Sequence, residues 1–134
     1  ECARVVLEEG LANGFTRHTL TSRALRQGLQ AMGLELFGDA NHRMPSVTGV
    51  YIPKPCGNGE VVRAQMLTDF GIEIGTSFGH LAGTIWRIGT MGHVCRKANV
   101  LRCLSALDAV LRRNGFDAPS NAGVDAAYKV YDDG

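Results

Sequence analysis

Apolar residues recur along the chain with helical spacing in some stretches and alternate in others. Leu11, His18, Leu25, Leu29 and Met32 share one helical stripe, while Arg17, Arg23, Arg26 and Gln30 fall largely outside it. This spacing predicts a long helix from Leu11, closed by Gly33 and preceded by a shorter one over residues 2–9 that stops at Gly10. Gly14 and Gly28 each weaken the long helix by ~1 kcal/mol relative to alanine, so tertiary packing has to hold it. His18, on the apolar stripe, is expected as a core or boundary histidine bonded to a neighbour. Residues 34–37 and 47–52 read as strands, the second entered through Pro45 and rich in β-branched residues. Asn58 is placed to cap a helix whose buried stripe is Val62, Met66 and Phe70, and Gly71 ends it.

After Gly71, residues 72–74 alternate as a short strand. The loop from Gly75 to Gly83 follows, with Thr76, Ser77, Gly79 and His80 among its residues. Its glycines and hydroxyls could expose backbone N–H groups to an anion, or the loop could be a plain connector. A strand over residues 84–90 comes next. Alternation sends Trp86, Ile88 and Thr90 to one face and Ile85, Arg87 and Gly89 to the other. Val100, Leu104, Leu107 and Leu111 then form the stripe of a helix ending at Asn114-Gly115. Beyond the break at residues 118–120, a weak helix over residues 121–130 packs back or frays. Short strands between helices imply an α+β two-layer sandwich, a small, mostly antiparallel sheet with helices on one face. Arg87 then leaves the uncovered face. An arginine in a short apolar strand asks for an anion, which is either a ligand or a nearby carboxylate.

Composition narrows the picture. The chain of 134 residues suffices for one core, and 45% apolar with 20% charged residues is ordinary for a soluble domain. A net charge of +1 gives no argument for nucleic acid. The basic residues are mostly arginine, which suits planar recognition of carboxylate or phosphate. No run reaches the ~18 apolar residues of a membrane span. Cys2, Cys56, Cys95 and Cys103 form no Cys-x-x-Cys pair, and His93-x-Cys95 has no second ligand pair, so no metal is expected. Reduced thiols and a cytoplasmic location are the expectation. Without an initiating methionine, and opening within a helical pattern, the chain reads as a piece of something longer.

Three segments, taken in order, resemble the C-terminal small domain of the class V pyridoxal-phosphate aminotransferases. They are Met44-Pro45-Ser46-Val47-Thr48-Gly49-Val50, Phe70-Gly71-Ile72-Glu73-Ile74-Gly75 and Trp86-Arg87-Ile88-Gly89-Thr90-Met91-Gly92-His93. The alanine–glyoxylate and ureidoglycine–glyoxylate transaminases are the branch most similar, and Met91-Gly92-His93 with the long tail resembles the ureidoglycine side. The resemblance implies residues 1–10 as the end of an inter-domain helix, 11–116 as the small domain and 117–134 as a C-terminal tail. It also implies that Arg87 binds the substrate α-carboxylate, and that Gly75, Thr76, Ser77, Gly79 and His80 form a pocket loop.

The family's cofactor lysine and the acidic partner of the pyridinium nitrogen belong to a large domain outside this chain. Lys54, Lys97 and Lys129 do not match that lysine. The resemblance therefore implies pyridoxal phosphate in a full-length, homodimeric enzyme that passes an amino group to an oxo acid such as glyoxylate, with ureidoglycine and purine catabolism as one setting. No cofactor binding and no catalytic residue are expected in the fragment itself. Residues 76–80 depart from the family's usual Gly-Gly-Leu-Gly-Pro run, which leaves substrate identity open. The residues alone also allow a free-standing α+β module that binds a carboxylate metabolite.

Overall fold

The computed structural model describes residues 1–134 as five helices around a two-stranded antiparallel sheet, an α+β domain. In chain order these are α1 (Cys2–Glu9), α2 (Leu11–Ala31), β1 (Val47–Tyr51), α3 (Glu60–Phe70), β2 (Ile85–Gly89), α4 (Lys97–Arg113) and α5 (Ala122–Asp132). Pairing sets Thr48 opposite Ile88, Gly49 opposite Arg87 and Val50 opposite Trp86. Val50, Trp86 and Ile88 enter one apolar core with Leu25 and Leu29 of α2, Val62 and Met66 of α3, and Leu104, Leu107 and Leu111 of α4.

Two expected strands shrink to single bridges. Leu36 pairs with Val50, and Gly75 with Arg87. Residues 34–37 still donate and accept across β1: the Phe37 N–H reaches the Gly49 carbonyl at 2.9 Å, and the Tyr51 N–H reaches Glu35 at 2.9 Å. Gly38 at φ 89° and the αL glycine Gly71 turn the chain beside these segments, so neither runs far enough to form a ladder. The sheet therefore has two full strands with a bridged segment along each side.

Helix ends also differ in detail. Gly59, at φ 78°, is the N-cap of α3, while the Asn58 side chain accepts from the Glu60 N–H at 3.2 Å one residue earlier than expected. Gly59 is constrained from two directions. A Cβ there would lie 2.4 Å from Trp86 Nε1, and the Trp86 indole N–H donates to the Gly59 carbonyl at 3.3 Å. Leu11 lies on the solvent side, leaving the buried part of the α2 stripe to Leu25, Leu29 and its C-cap Met32. His18 bridges two elements: its Nδ1–H donates to the Gly14 carbonyl at 2.7 Å, and its Nε2 accepts from the Gly92 N–H at 3.1 Å. Those two partners select the neutral tautomer protonated on Nδ1.

The last helix packs rather than frays. α5 lies against α2, with Ala127 fully buried, and the backbones meet at Gly28 and Gly123. Lys97, exposed at the start of α4, faces Asp132 at 3.8 Å and stands over the Tyr128 and Tyr131 rings at 4.7 and 5.3 Å, so the basic residue there ties α4 to α5. Arg96 donates to His93 Nδ1 at 3.0 Å.

Cys2 is exposed and the other three cysteines are buried. Burial pushes the Cys103 thiol up to about 11 and raises that of Cys56 as well. In the native protein at mildly alkaline pH, thiol reagents should therefore modify Cys2 promptly and Cys103 only on unfolding. Peptide mapping of a timed labelling reaction checks this, and prompt labelling of Cys103 would contradict the docking of α4. No helix is long and apolar enough to cross a membrane. No three His, Cys, Asp or Glu side chains lie together in the manner of a metal site.

Candidate functional site

Arg87 sits at the centre of β2, between β1 and the bridged segment at Gly75. Its N–H donates to the Gly75 carbonyl at 2.8 Å, and its own carbonyl accepts the Gly75 N–H at 2.8 Å. The backbone is thus fixed, and the pleat turns the side chain away from Trp86 and Ile88. Opposite it on the same face, Gly49 offers no side chain, and Phe37 packs over that position, where a Cβ would lie 3.1 Å from Phe37 Cβ.

The guanidinium is positioned but not neutralised. Its Nε–H donates to the Thr76 carbonyl at 2.7 Å, and its central carbon lies 4.8 Å from the centroid of the Phe78 ring. Neither Nη group has a protein hydrogen-bond partner, and Arg87 makes no ion pair. The nearby-carboxylate alternative thus has no partner in the chain. With Nε spent on the backbone, one edge of the fork stays free to take both oxygens of a carboxylate.

That edge borders a cleft of about 330 Å3. Arg87, Ile85 and Ser77 line one side, and Gly49, Phe37 and the turn from Gly38 to Met44 line the other, with Arg26 of α2 at the end. Such a volume suits a small molecule. Ser77 is the loop residue that lines it. Gly75 and Thr76 act through their backbones on Arg87, whereas Gly79 and His80 form an exposed 3-10 turn outside the lining. Arg26, Arg43 and His42 were not legible as site residues. They come from α2 and the turn before β1, and only Arg43, next to the Met44-Pro45-Ser46 motif, carried a positional signal, while Phe78 lay within the expected pocket loop. A second hollow, of about 260 Å3, lies between residues 71–74, the end of β2 and α4. Its one cation, Arg102, already donates to the Phe70 carbonyl.

The comparisons with known proteins fit this architecture. No family model matches the chain. It is 52% identical over 132 residues to the (S)-ureidoglycine–glyoxylate transaminase of Bacillus subtilis, covering 98% of this chain and 32% of that protein. The crystal structure of the ureidoglycine–glyoxylate aminotransferase from Bacillus subtilis superposes with a TM-score of 0.92 at 53% identity, over 96% of this chain and 33% of that one. Pyridoxamine–pyruvate aminotransferase from Mesorhizobium loti gives a TM-score of 0.91 at 27% identity, over 97% and 33%. The chain matches class V aminotransferases over nearly its whole length. It spans about a third of the length of these relatives, consistent with their C-terminal small domain.

Class V aminotransferases work with pyridoxal phosphate, and the residues present here do not suit that group. No lysine lines the Arg87 cleft. Lys54 lies in a 3-10 turn after β1, Lys97 is engaged with Asp132 and two tyrosine rings, and Lys129 is on α5. The cleft offers cations and backbone for an anion, and nothing to anchor an aldehyde.

Proposed function

We propose that the chain is the substrate-carboxylate half of a transaminase active site, with Arg87 as the clamp. The observation that carries this is the guanidinium fixed through Nε to Thr76, with its Nη groups free at the edge of a cleft. A carboxylate laid against that edge is held by two parallel charge-assisted bonds, which set its orientation as well as its position. Phe78 shields the guanidinium face from water, which strengthens the same contact.

The remaining two thirds of the parent protein would supply the cofactor lysine and the acidic partner of the pyridine ring. When bound there, pyridoxal phosphate supplies the electron sink for amino transfer. Residues 11–116 form the small domain in this reading, with residues 1–10 leading into it and 117–134 extending it. Val5, Val6, Leu7, Leu11 and Phe15 are exposed along α1 and the start of α2, an apolar surface suited to contact with that larger part. In this reading the parent is a cytoplasmic homodimer, and the isolated chain neither retains the cofactor nor transaminates. The acceptor is an oxo acid such as glyoxylate, and (S)-ureidoglycine is the first donor to test, since the Bacillus subtilis relative is named for that pair.

The test is a steady-state assay of the purified full-length protein with glyoxylate and a panel of amino donors, reading glycine and the matching oxo acid. Equal amounts of the two products are expected. Absence of turnover with every donor would overturn the reading.

A further inference from the structure

Arg87 is held by a segment that is itself held by one side chain. The Thr76 carbonyl that fixes the guanidinium belongs to residues 74–76, which run beside β2 without forming a strand. Gly75 uses both its N–H and its carbonyl on Arg87, each at 2.8 Å. In an antiparallel pair the backbone groups of the next residue face the opposite edge, and no strand lies along that edge. No backbone N–H reaches the Ile74 carbonyl there. Its donor is Arg63 of α3, whose Nε–H meets the carbonyl at 2.8 Å. A side chain thus does for residues 74–76 what a third strand would do.

Arg63 is steadied in turn. Its Nη1 donates to the Glu60 carboxylate at 2.7 Å, one turn earlier on α3, and its side chain is 23% exposed. A planar guanidinium with one nitrogen on Glu60 and another on Ile74 keeps little freedom to swing. The Ile74 side chain, buried in the core, anchors the same residue from the other side. Neither the Thr76 nor the Ser77 side chain makes a hydrogen bond, and Gly79–Leu81 is an exposed turn. The place of the Thr76 carbonyl therefore depends on what holds residues 74 and 75. A continuous path runs from Glu60 through Arg63, Ile74 and Thr76 to Arg87 Nε.

We infer that Arg63 is a positioning residue for the substrate carboxylate: it anchors the Ile74 carbonyl and, through residues 75–76, sets where the free edge of Arg87 points. The inference rests on the reading of Arg87 as a carboxylate clamp and adds the residue that aims it. Arg63 does not line the Arg87 cleft, so its effect reaches a substrate only through Arg87.

The test is a double-mutant cycle on kcat/KM for glyoxylate in the full-length protein. Arg63→Met keeps the stem of the side chain and removes the donor. It is expected to lower kcat/KM about fivefold, within the range for residues coupled in one hydrogen-bond network, with most of the change in KM. In an Arg87→Lys background no Nε remains to bond Thr76, and the same substitution should change kcat/KM by less than about 1.5-fold. Equal losses in the two backgrounds would make Arg63 a general support of α3 and overturn the inference. So would an unmodified background in which Arg63→Met changes nothing. Arg63→Lys keeps the charge and a donor, and it takes the place of Arg63→Met should that variant not fold. Its loss should be smaller and should vanish in the same way. Failure of the clamp reads differently: Arg87→Lys alone would leave KM unchanged, or no donor would support turnover, whatever Arg63 does.

Discussion

Arg87→Ala in the full-length protein is expected to lower kcat/KM for a carboxylate substrate by about 100-fold, with a large part of the loss in KM. Hydrogen bonds to charged groups contribute about 1.5–3 kcal/mol, and each ~1.4 kcal/mol is a factor of ten. A two-pronged contact could exceed that, but water re-enters the vacated space and recovers part of it. Binding lost equally from ground and transition states appears in KM alone, so a fall in kcat as well would show that orientation of the substrate matters to the chemistry. Arg87→Lys sharpens the test. It keeps the charge but loses the planar fork, and Lys has no Nε to hold Thr76, so an intermediate loss is expected. Steady-state kinetics with varied oxo acid reads all of this. Unchanged constants in Arg87→Ala would leave the residue a structural bridge between β2 and the 75–78 loop.

The framework that positions Arg87 was largely legible from pattern. The α4 stripe from Val100 to Leu111 is buried as its spacing implied, and alternation along β2 placed Trp86 and Ile88 in the core with Arg87 away from them. What failed was length. Residues 34–37 and 72–74 carry strand-like side chains, yet the first makes one bridge, at Leu36, and the second none of its own, the bridge falling on the adjacent Gly75, because the flanking glycines bend the chain away. The cleft was also hidden. Arg26 looked like the polar side of an amphipathic helix, and Arg43 fell between the two expected strands. Only packing α2 beside β1 brings them to the cleft of a residue far along the chain. No local pattern encodes such a meeting.

Gly28 shows the same limit from the side of stability, and it yields opposite expectations for two glycines of one helix. Read locally, Gly14 and Gly28 both weaken α2. A Cβ on Gly14 would meet nothing closer than the Glu9 carboxylate at 3.5 Å, ordinary contact with a flexible side chain. Gly14→Ala should therefore stabilise the helix by up to ~1 kcal/mol. A Cβ on Gly28 would sit 2.4 Å from Leu104 Cδ1 and 2.8 Å from the carbonyl oxygen of Gly123. Leu104 could rotate, but the Gly123 carbonyl moves only if α5 moves. Overpacking a filled core costs about 1–3 kcal/mol, and a fixed backbone atom puts Gly28→Val at the upper end or beyond it. The gain from replacing a helical glycine, under ~1 kcal/mol, cannot offset that. The cost falls on the α2–α5 contact, so it should appear as local opening of α5. Amide hydrogen exchange in the full-length protein is the direct measurement. In Gly28→Val, amides of α5 around Ala127 should exchange about 100-fold faster, corresponding to ~3 kcal/mol, while those of α3 stay protected. In Gly14→Ala, α5 should exchange as before. Equal protection of α5 in both variants would mean that the helices do not meet at Gly28 and Gly123. It would then also remove the reason α2 tolerates a glycine in its most buried turn.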